Sequence, residues 1–401
     1  MGTYLASKTS KKRLGKSHFH HFKQRKLPMK IIDVKADNLT IPYPKEVKPA
    51  WQPGLIATSH HFTLVRILTD EGVTGYGGTS GHLAGTILGQ TKPYLVGEDP
   101  FATERLARVY RNAGSGIWCI DMALWDIIGK AVRMPLYRLW GFYHRKIPAY
   151  ASAVEVGTPD DRAALALHYQ SLGFRAVKLR LHNDEMKDDL AIVDACLKAT
   201  GGKVTYMVDA NQATNLPSPK RGVVWDYQRA LRMAKELEAR NVLWLEEPLS
   251  RYDFDNLIRL RESTEIYIAG GEKNQGLHEF RWLIERGVYD ILQPDAAMSE
   301  GVSQLRKIAA MAEMYKRQFV PHHSMSGIGL AAVLHLCCTF PGLTWLELMY
   351  EPETRTIQSF QQLGGIVESR IWIDEEGFVS PSDAPGLGVE VNEGAIEQYS
   401  V

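Results

Sequence analysis

The chain has 401 residues, 45 % of them hydrophobic and 23 % charged, a balance typical of a soluble protein with one large domain and a smaller one. The formal net charge of +1 hides an asymmetry, because residues 1–28 hold eight of the 47 Lys and Arg and no acid. That leaves 39 basic against 46 acidic side chains downstream, which argues against nucleic acid as a partner, and no apolar run approaches the 18 residues of a membrane span.

The basic leader, with His18, His20 and His21, lacks the apolar centre of a secretory signal and reads as a disordered extension. Globular patterning starts at Met29. Alternation over residues 30–35 predicts a strand, residues 41–54 a proline-rich loop that is either a lid or a plain surface connection, and residues 62–68 a second strand. Thr69-Asp-Glu-Gly72 then turns the chain into Val73-Thr-Gly-Tyr-Gly77. Helical spacing follows over residues 101–112 and, apolar on most faces, over residues 117–129. Cys119, Cys196, Cys337 and Cys338 lie in apolar, helix-like segments without metal-type spacing, so they read as core thiols of a cytoplasmic protein.

From about residue 147 to 349 short apolar runs alternate with amphipathic segments. Strands are expected at 148–154, 176–181, 204–209, 242–245, 266–269, 289–292, 318–321 and 344–348. Eight such units, spaced by roughly 25 to 40 residues, imply a parallel α/β barrel of the TIM type. The tail from Gly364 is expected to return to the N-terminal domain. Domain bounds are therefore 1–28 for the extension, 29–146 with about 364–401 for an α+β domain, and 147–363 for the barrel.

Three successive strands finish in acid: Asp209, then Glu246 and Glu247 before Pro248, then Glu272. Buried carboxylates are costly without a positive partner, and barrel strand ends converge on one face. Three hard oxygen ligands with room for water suit Mg²⁺. The other strand ends carry Lys178 and Arg180, Asn211, Asp295, His322 and Glu347. A lone group of this kind is usually a cap, but a carboxylate triplet flanked by lysine and histidine points to chemistry.

On these residues the chain resembles the enolase superfamily, mandelate racemase subgroup, from about residue 29 to the C-terminus. The matching pieces are Ile120-Asp-Met-Ala-Leu-Trp-Asp-Ile-Ile-Gly-Lys130, Lys178-Leu-Arg180, Val208-Asp-Ala-Asn211, Trp244-Leu-Glu-Glu-Pro248, Ala269-Gly-Gly-Glu272, Gln293-Pro-Asp295, Pro321-His322 and Pro385-Gly-Leu-Gly388. The resemblance implies an α+β capping domain, completed by the tail, over a modified (β/α)7β barrel with one Mg²⁺ per site. It implies Asp209, Glu246 and Glu272 as metal ligands and gives Glu247 a supporting role. Lys178 and His322 become the acid/base pair on opposite substrate faces, with Asp295 orienting His322. Glu347 becomes an acid donating a hydrogen bond to the substrate carboxylate. It also implies a symmetric homo-oligomer, octamer or dimer.

Abstracting a proton α to a carboxylate requires that the enediolate be stabilised as it forms, a task for Mg²⁺ with a protonated Glu347. Lys178 needs a depressed pKa, with Arg180 and the metal as expected causes. The pairing of a lysine or histidine base with Mg²⁺ is a general pattern of that superfamily. Here Lys-x-Arg replaces the commoner Lys-x-Lys, so Arg180, which does not titrate, is electrostatic. Trp51, His60, His61, Tyr76, Arg180, His182 and Asn211 are candidates for substrate contact and suit a polyol chain. His182 and His323 also have a plain reading as loop or core residues. The resulting expectation is a lyase that dehydrates a sugar acid to a 2-keto-3-deoxy acid. Racemisation or epimerisation, lactone cycloisomerisation and a catalytically silent binding protein are the alternatives.

Overall fold

The computed structural model describes residues 28–111, 114, 116–213 and 218–401. The basic leader up to residue 27 and Asn112, the end of one expected helix, lie outside them. The first domain is an antiparallel sheet of β1 (Ile31–Val47), β2 (Ala57–Thr69) and β3 (Thr74–Ser80), in that order. Behind it pack α1 (Ala84–Leu95), α2 (Thr103–Arg111) and α3 (Cys119–Ala131). Residues 41–47, expected in the proline-rich loop, belong instead to β1: Pro42 pairs with Ser59, and Val47 with Ala57 after a register shift. β1 lies at the sheet edge, where a proline's missing N–H removes no ladder bond. The loop that remains spans residues 48–56.

α3 is buried along most of its length, including two aspartates that serve as straps. Asp121 accepts from the Tyr110 hydroxyl and from the backbone N–H and hydroxyl of Ser303, all at 2.7 Å, and so joins the cap to the barrel. Asp126 accepts from Tyr76 N–H at 3.0 Å and Leu387 N–H at 2.9 Å, tying β3 to the tail. Helix and tail meet where neither has a side chain, since a Cβ on Gly129 would lie 2.5 Å from the Gly386 Cα.

The barrel strands are β4 (Ile147–Ser152), β5 (Ala176–Arg180), β6 (Thr205–Asp209), β7 (Trp244–Glu246), β8 (Tyr267–Gly270), β9 (Ile291–Leu292), β10 (Gln318–Phe319) and β11 (Leu346–Met349). All pair in parallel in the order β10-β9-β8-β7-β6-β5-β4-β11, so the last strand returns to the first. Helices fill every crossover, giving an α/β barrel of the TIM type with an N-terminal cap. In the tail, β12 (Phe378–Val379) runs antiparallel against β4, while the Val401 N–H donates to Asn38 C=O in the cap. All four cysteines are buried and free, and no helix among the described residues is long and apolar enough to cross a membrane.

A buried histidine joins three parts of the chain. His335, in the helix Gly327–Cys337, accepts from the Tyr137 N–H at 3.2 Å and faces the Leu387 carbonyl at 3.1 Å. Burial pushes its pKa down to about 4. In the unfolded chain the ordinary value is ~6.5, so the unfolded state binds more protons between the two. Stability is therefore complete above pH 6.5 and falls as pH drops toward 4, by roughly 3 kcal/mol from this group alone. In urea unfolding, His335→Gln is expected to flatten the pH dependence near pH 5 by about one proton. An unchanged slope would place that proton uptake elsewhere.

Candidate active site

Register explains why the charged residues converge. Arg180 is paired with Asp209, and Asp209 with Glu246, across β5, β6 and β7, so the three side chains leave the same face of neighbouring strand ends. Lys178 lies two residues before Arg180 and shares that face by the two-residue period. Glu272 follows Gly271, whose φ of +121° turns the chain just beyond β8. Asp295 and His322 form an isolated parallel bridge that continues the β9–β10 pairing.

Every carboxylate of the expected metal set is engaged by a cation. Glu246 receives Lys178 Nζ at 2.8 and 3.0 Å, Gln293 Nε2 at 2.8 Å and Trp244 Nε1 at 3.2 Å. Asp209 pairs with Arg180 and accepts from Asn211 N–H at 2.7 Å. Glu272 meets Lys273 at 2.8 Å and His322 Nε2 at 2.9 Å. Among the described residues, no three acids, histidines or cysteines close into a preformed cage. The donor set nevertheless suits a hard cation. Both oxygens of the buried Glu247 carboxylate and the Asn211 Oδ1 lack a hydrogen-bond donor. Burial, then repulsion from Glu272 and Asp209, pushes Glu247 well up. Both residues hold positive φ, +47° at Glu247 and +49° at Asn211, a strain that clusters at functional sites. A divalent cation would relieve this concentration of acceptors.

Without a metal, the buried carboxylates set the protonation of the site. Burial alone would depress Lys178, but Glu246 and Glu347 outweigh it and hold the ammonium above its ordinary range. Glu347 lies 2.9 Å from Lys178: burial pushes its carboxyl up, but Lys178, His322 and Arg180 outweigh that and hold it below its ordinary range. Glu246 is itself pushed up to about 7 by burial, partly offset by Lys178, and its contacts at 2.8 Å suit the ionised form at neutral pH. His322 is opposed by burial but raised well above its usual value by Glu272, Glu347 and Asp295. Its Nδ1 is 2.8 Å from Asp295 and its Nε2 2.9 Å from Glu272, so each ring nitrogen faces a carboxylate.

Above these groups lies a cavity of about 320 Å³ between cap and barrel. Trp51, His60 and His61 line it from the cap, and Arg180, Asn211, Glu272 and His322 from the barrel. Lys178, fully buried, sits beneath the floor and not in the wall. Tyr76 does not reach the cavity: its hydroxyl donates to Glu393 at 2.8 Å, and its ring lies under Lys130. His182 faces a neighbouring cavity, shared with Trp51 and Asn211. His323 is a core residue held neutral, pushed down to about 4 by burial. Lys273, Met298, Ser324 and Arg355 also line the main cavity and were not singled out by sequence. Lys273 carried a signal in its adjacency to Glu272. Arg355, in the loop after the last barrel strand, carried none.

A capped α/β barrel with carboxylates, a lysine and a histidine on its C-terminal rim defines a class of acid/base enzymes. Residues 161–395 match the model for the enolase C-terminal domain-like family, and residues 45–141 that for the mandelate racemase/muconate lactonizing enzyme N-terminal domain. The chain belongs to this family, the mandelate racemase subgroup of the enolase superfamily. Among its relatives is the arabinonate dehydratase of Saccharolobus solfataricus, 30 % identical over 364 residues, covering 86 % of this chain and 92 % of the relative. The D-galactonate dehydratase of Ralstonia pickettii is 30 % identical over 360 residues, covering 84 % and 90 %. The L-talarate dehydratase of Polaromonas sp. JS666, solved with Mg and L-glucarate, superposes with a TM-score of 0.76 at 26 % identity, covering 93 % and 97 %.

Proposed function

We propose that the protein is a Mg²⁺-dependent hydro-lyase that converts a sugar acid to its 2-keto-3-deoxy acid. One geometric observation carries the reading. A single buried carboxylate, Glu347, has Lys178 Nζ 2.9 Å from one oxygen and His322 Nε2 3.9 Å from the other. Two proton carriers thus flank one point beside three acidic strand ends. The dehydratase names of its relatives support the same reaction class.

Asp209, Glu246 and Glu272 would hold the metal, which supplies positive charge to the substrate carboxylate as the enediolate forms. With Glu246 holding a cation, Lys178 would keep Glu347 as its remaining carboxylate partner and would be less firmly protonated, the direction a general base needs. Lys178 then takes the α-proton. The imidazolium of His322, oriented by Asp295, gives its proton to the β-hydroxyl, which leaves as water, and the enol becomes the ketone. Arg180 holds Asp209 and Glu347 in place. Asn211 and Trp51 bound the substrate space. Assembly as an octamer or dimer rests on the resemblance alone and is read by light scattering.

The deciding experiment incubates the protein with Mg²⁺ and a library of mono- and di-acid sugars, scoring 2-keto acid and α-proton exchange in D₂O. A keto product is expected. Exchange without product would make the enzyme a racemase or epimerase, and silence in both would overturn the reading. Calorimetry is expected to find one Mg²⁺ site per chain, weakened at least about tenfold in Asp209→Asn. Unaltered binding would remove Asp209 from the ligand set.

A further inference from the structure

The cationic side chains in the wall of the main cavity differ in one respect. Arg180 is paired with Asp209, Lys273 with Glu272, and His322 with Asp295 and Glu272. Arg355 is buried, at 6 % exposure, yet no carboxylate of the described residues lies within ion-pairing distance of it. Its Nε has no acceptor. The acid whose field it feels, Glu347, is already held by Lys178. A buried guanidinium without an anion is costly, and such a charge usually marks a missing partner.

The surroundings of Arg355 orient it. Its guanidinium carbon lies 3.6 Å from the Phe360 ring centroid and 5.6 Å from that of Trp51, and Trp51 in turn has Arg180 5.4 Å away. Aromatic contact satisfies a guanidinium through its face and leaves its N–H edge free, the geometry that grips a carboxylate with two hydrogen bonds. Beside it, the His60 ring packs at 62° to that of Phe360, centroids 4.9 Å apart, and has a buried Nε2 without a partner. Burial, then the neighbouring Arg355, pushes His60 well down, so this neutral ring has a proton to donate without further charge. Tyr43 lines the same part of the cavity.

We propose that Arg355, with His60, forms a subsite for a second carboxylate, so that the enzyme selects sugar diacids over sugar monoacids. This rests on the acid-sugar reading above and names the substrate class within it. The proximal carboxylate belongs to the metal end of the cavity. A monoacid would leave Arg355 facing a hydroxyl, whereas a diacid supplies the anion it lacks.

The test compares matched six-carbon pairs, galactarate with galactonate and glucarate with gluconate, on the Mg²⁺-loaded full chain. It measures kcat/KM and, by calorimetry, binding. The wild type is expected to favour the diacid of at least one pair by roughly 30-fold or more, and Arg355→Gln to collapse that ratio. Arg355→Lys keeps the charge without the fork and is expected to fall between the two. The wild-type comparison stands even if a variant fails to fold. Equal or preferred turnover of monoacids overturns the subsite and leaves dehydration intact. Tighter diacid binding without turnover supports the subsite and removes the dehydratase reading. Binding of neither class overturns both.

Discussion

Lys178→Met is expected to lower turnover by about 10³-fold, within the range that a positioned proton carrier contributes, and to abolish α-proton exchange in D₂O. The side chain is fully buried, with Nζ 2.8 Å from Glu246 and 2.9 Å from Glu347. Removing it therefore deletes a base and also leaves two buried carboxylates facing each other. Lys178→Arg separates these effects, because arginine keeps the bridging charge and does not titrate. Both variants are expected to lose turnover to a similar degree. Only Lys178→Met is expected to lose several kcal/mol of stability, the usual result of breaking a buried ion pair from one side. Part of that loss should return as pH falls, since Glu246 and Glu347 can then bind protons. Turnover within about tenfold of wild type in either variant would move the base to another residue.

The rim of the barrel was legible because two simple constraints meet there. Apolar runs such as Trp244-Leu245 announce buried strands, and an acid that ends such a run cannot be a packing residue. The two-residue period then predicts which charges share a face, and Arg180, Asp209 and Glu246 do. What escaped was set by contacts distant in sequence. Residues 41–47 look like a loop by their prolines and are strand because β2 is available to pair on one side only. Tyr76 appears free for substrate until the tail brings Glu393 to its hydroxyl. Without the metal, Lys178 is held up by its carboxylates, because attraction at 2.8 Å exceeds repulsion from an arginine already paired to Asp209. Arg355 has no periodic or motif signal at all. Its lack of an ion-pairing carboxylate among the described residues is a property of the folded cavity.

His322→Asn is expected to divide the reaction where Lys178→Met impairs both of its halves. The ring is held between Asp295 at 2.8 Å and Glu272 at 2.9 Å, so that a proton on it is stabilised and oriented. Losing it should reduce formation of the keto acid by about 10³-fold, while α-proton exchange in D₂O stays within roughly tenfold of wild type, because that step belongs to Lys178. The fold has reason to survive. Asp295 still accepts from the Ala297 N–H at 2.7 Å and the Ser324 hydroxyl at 2.9 Å, and Glu272 keeps Lys273 at 2.8 Å. Asparagine also retains an amide able to donate toward Asp295. Full dehydration turnover in this variant would assign the acid to another group. Exchange lost in step with product would make His322 the base and leave Lys178 the electrostatic partner of Glu347.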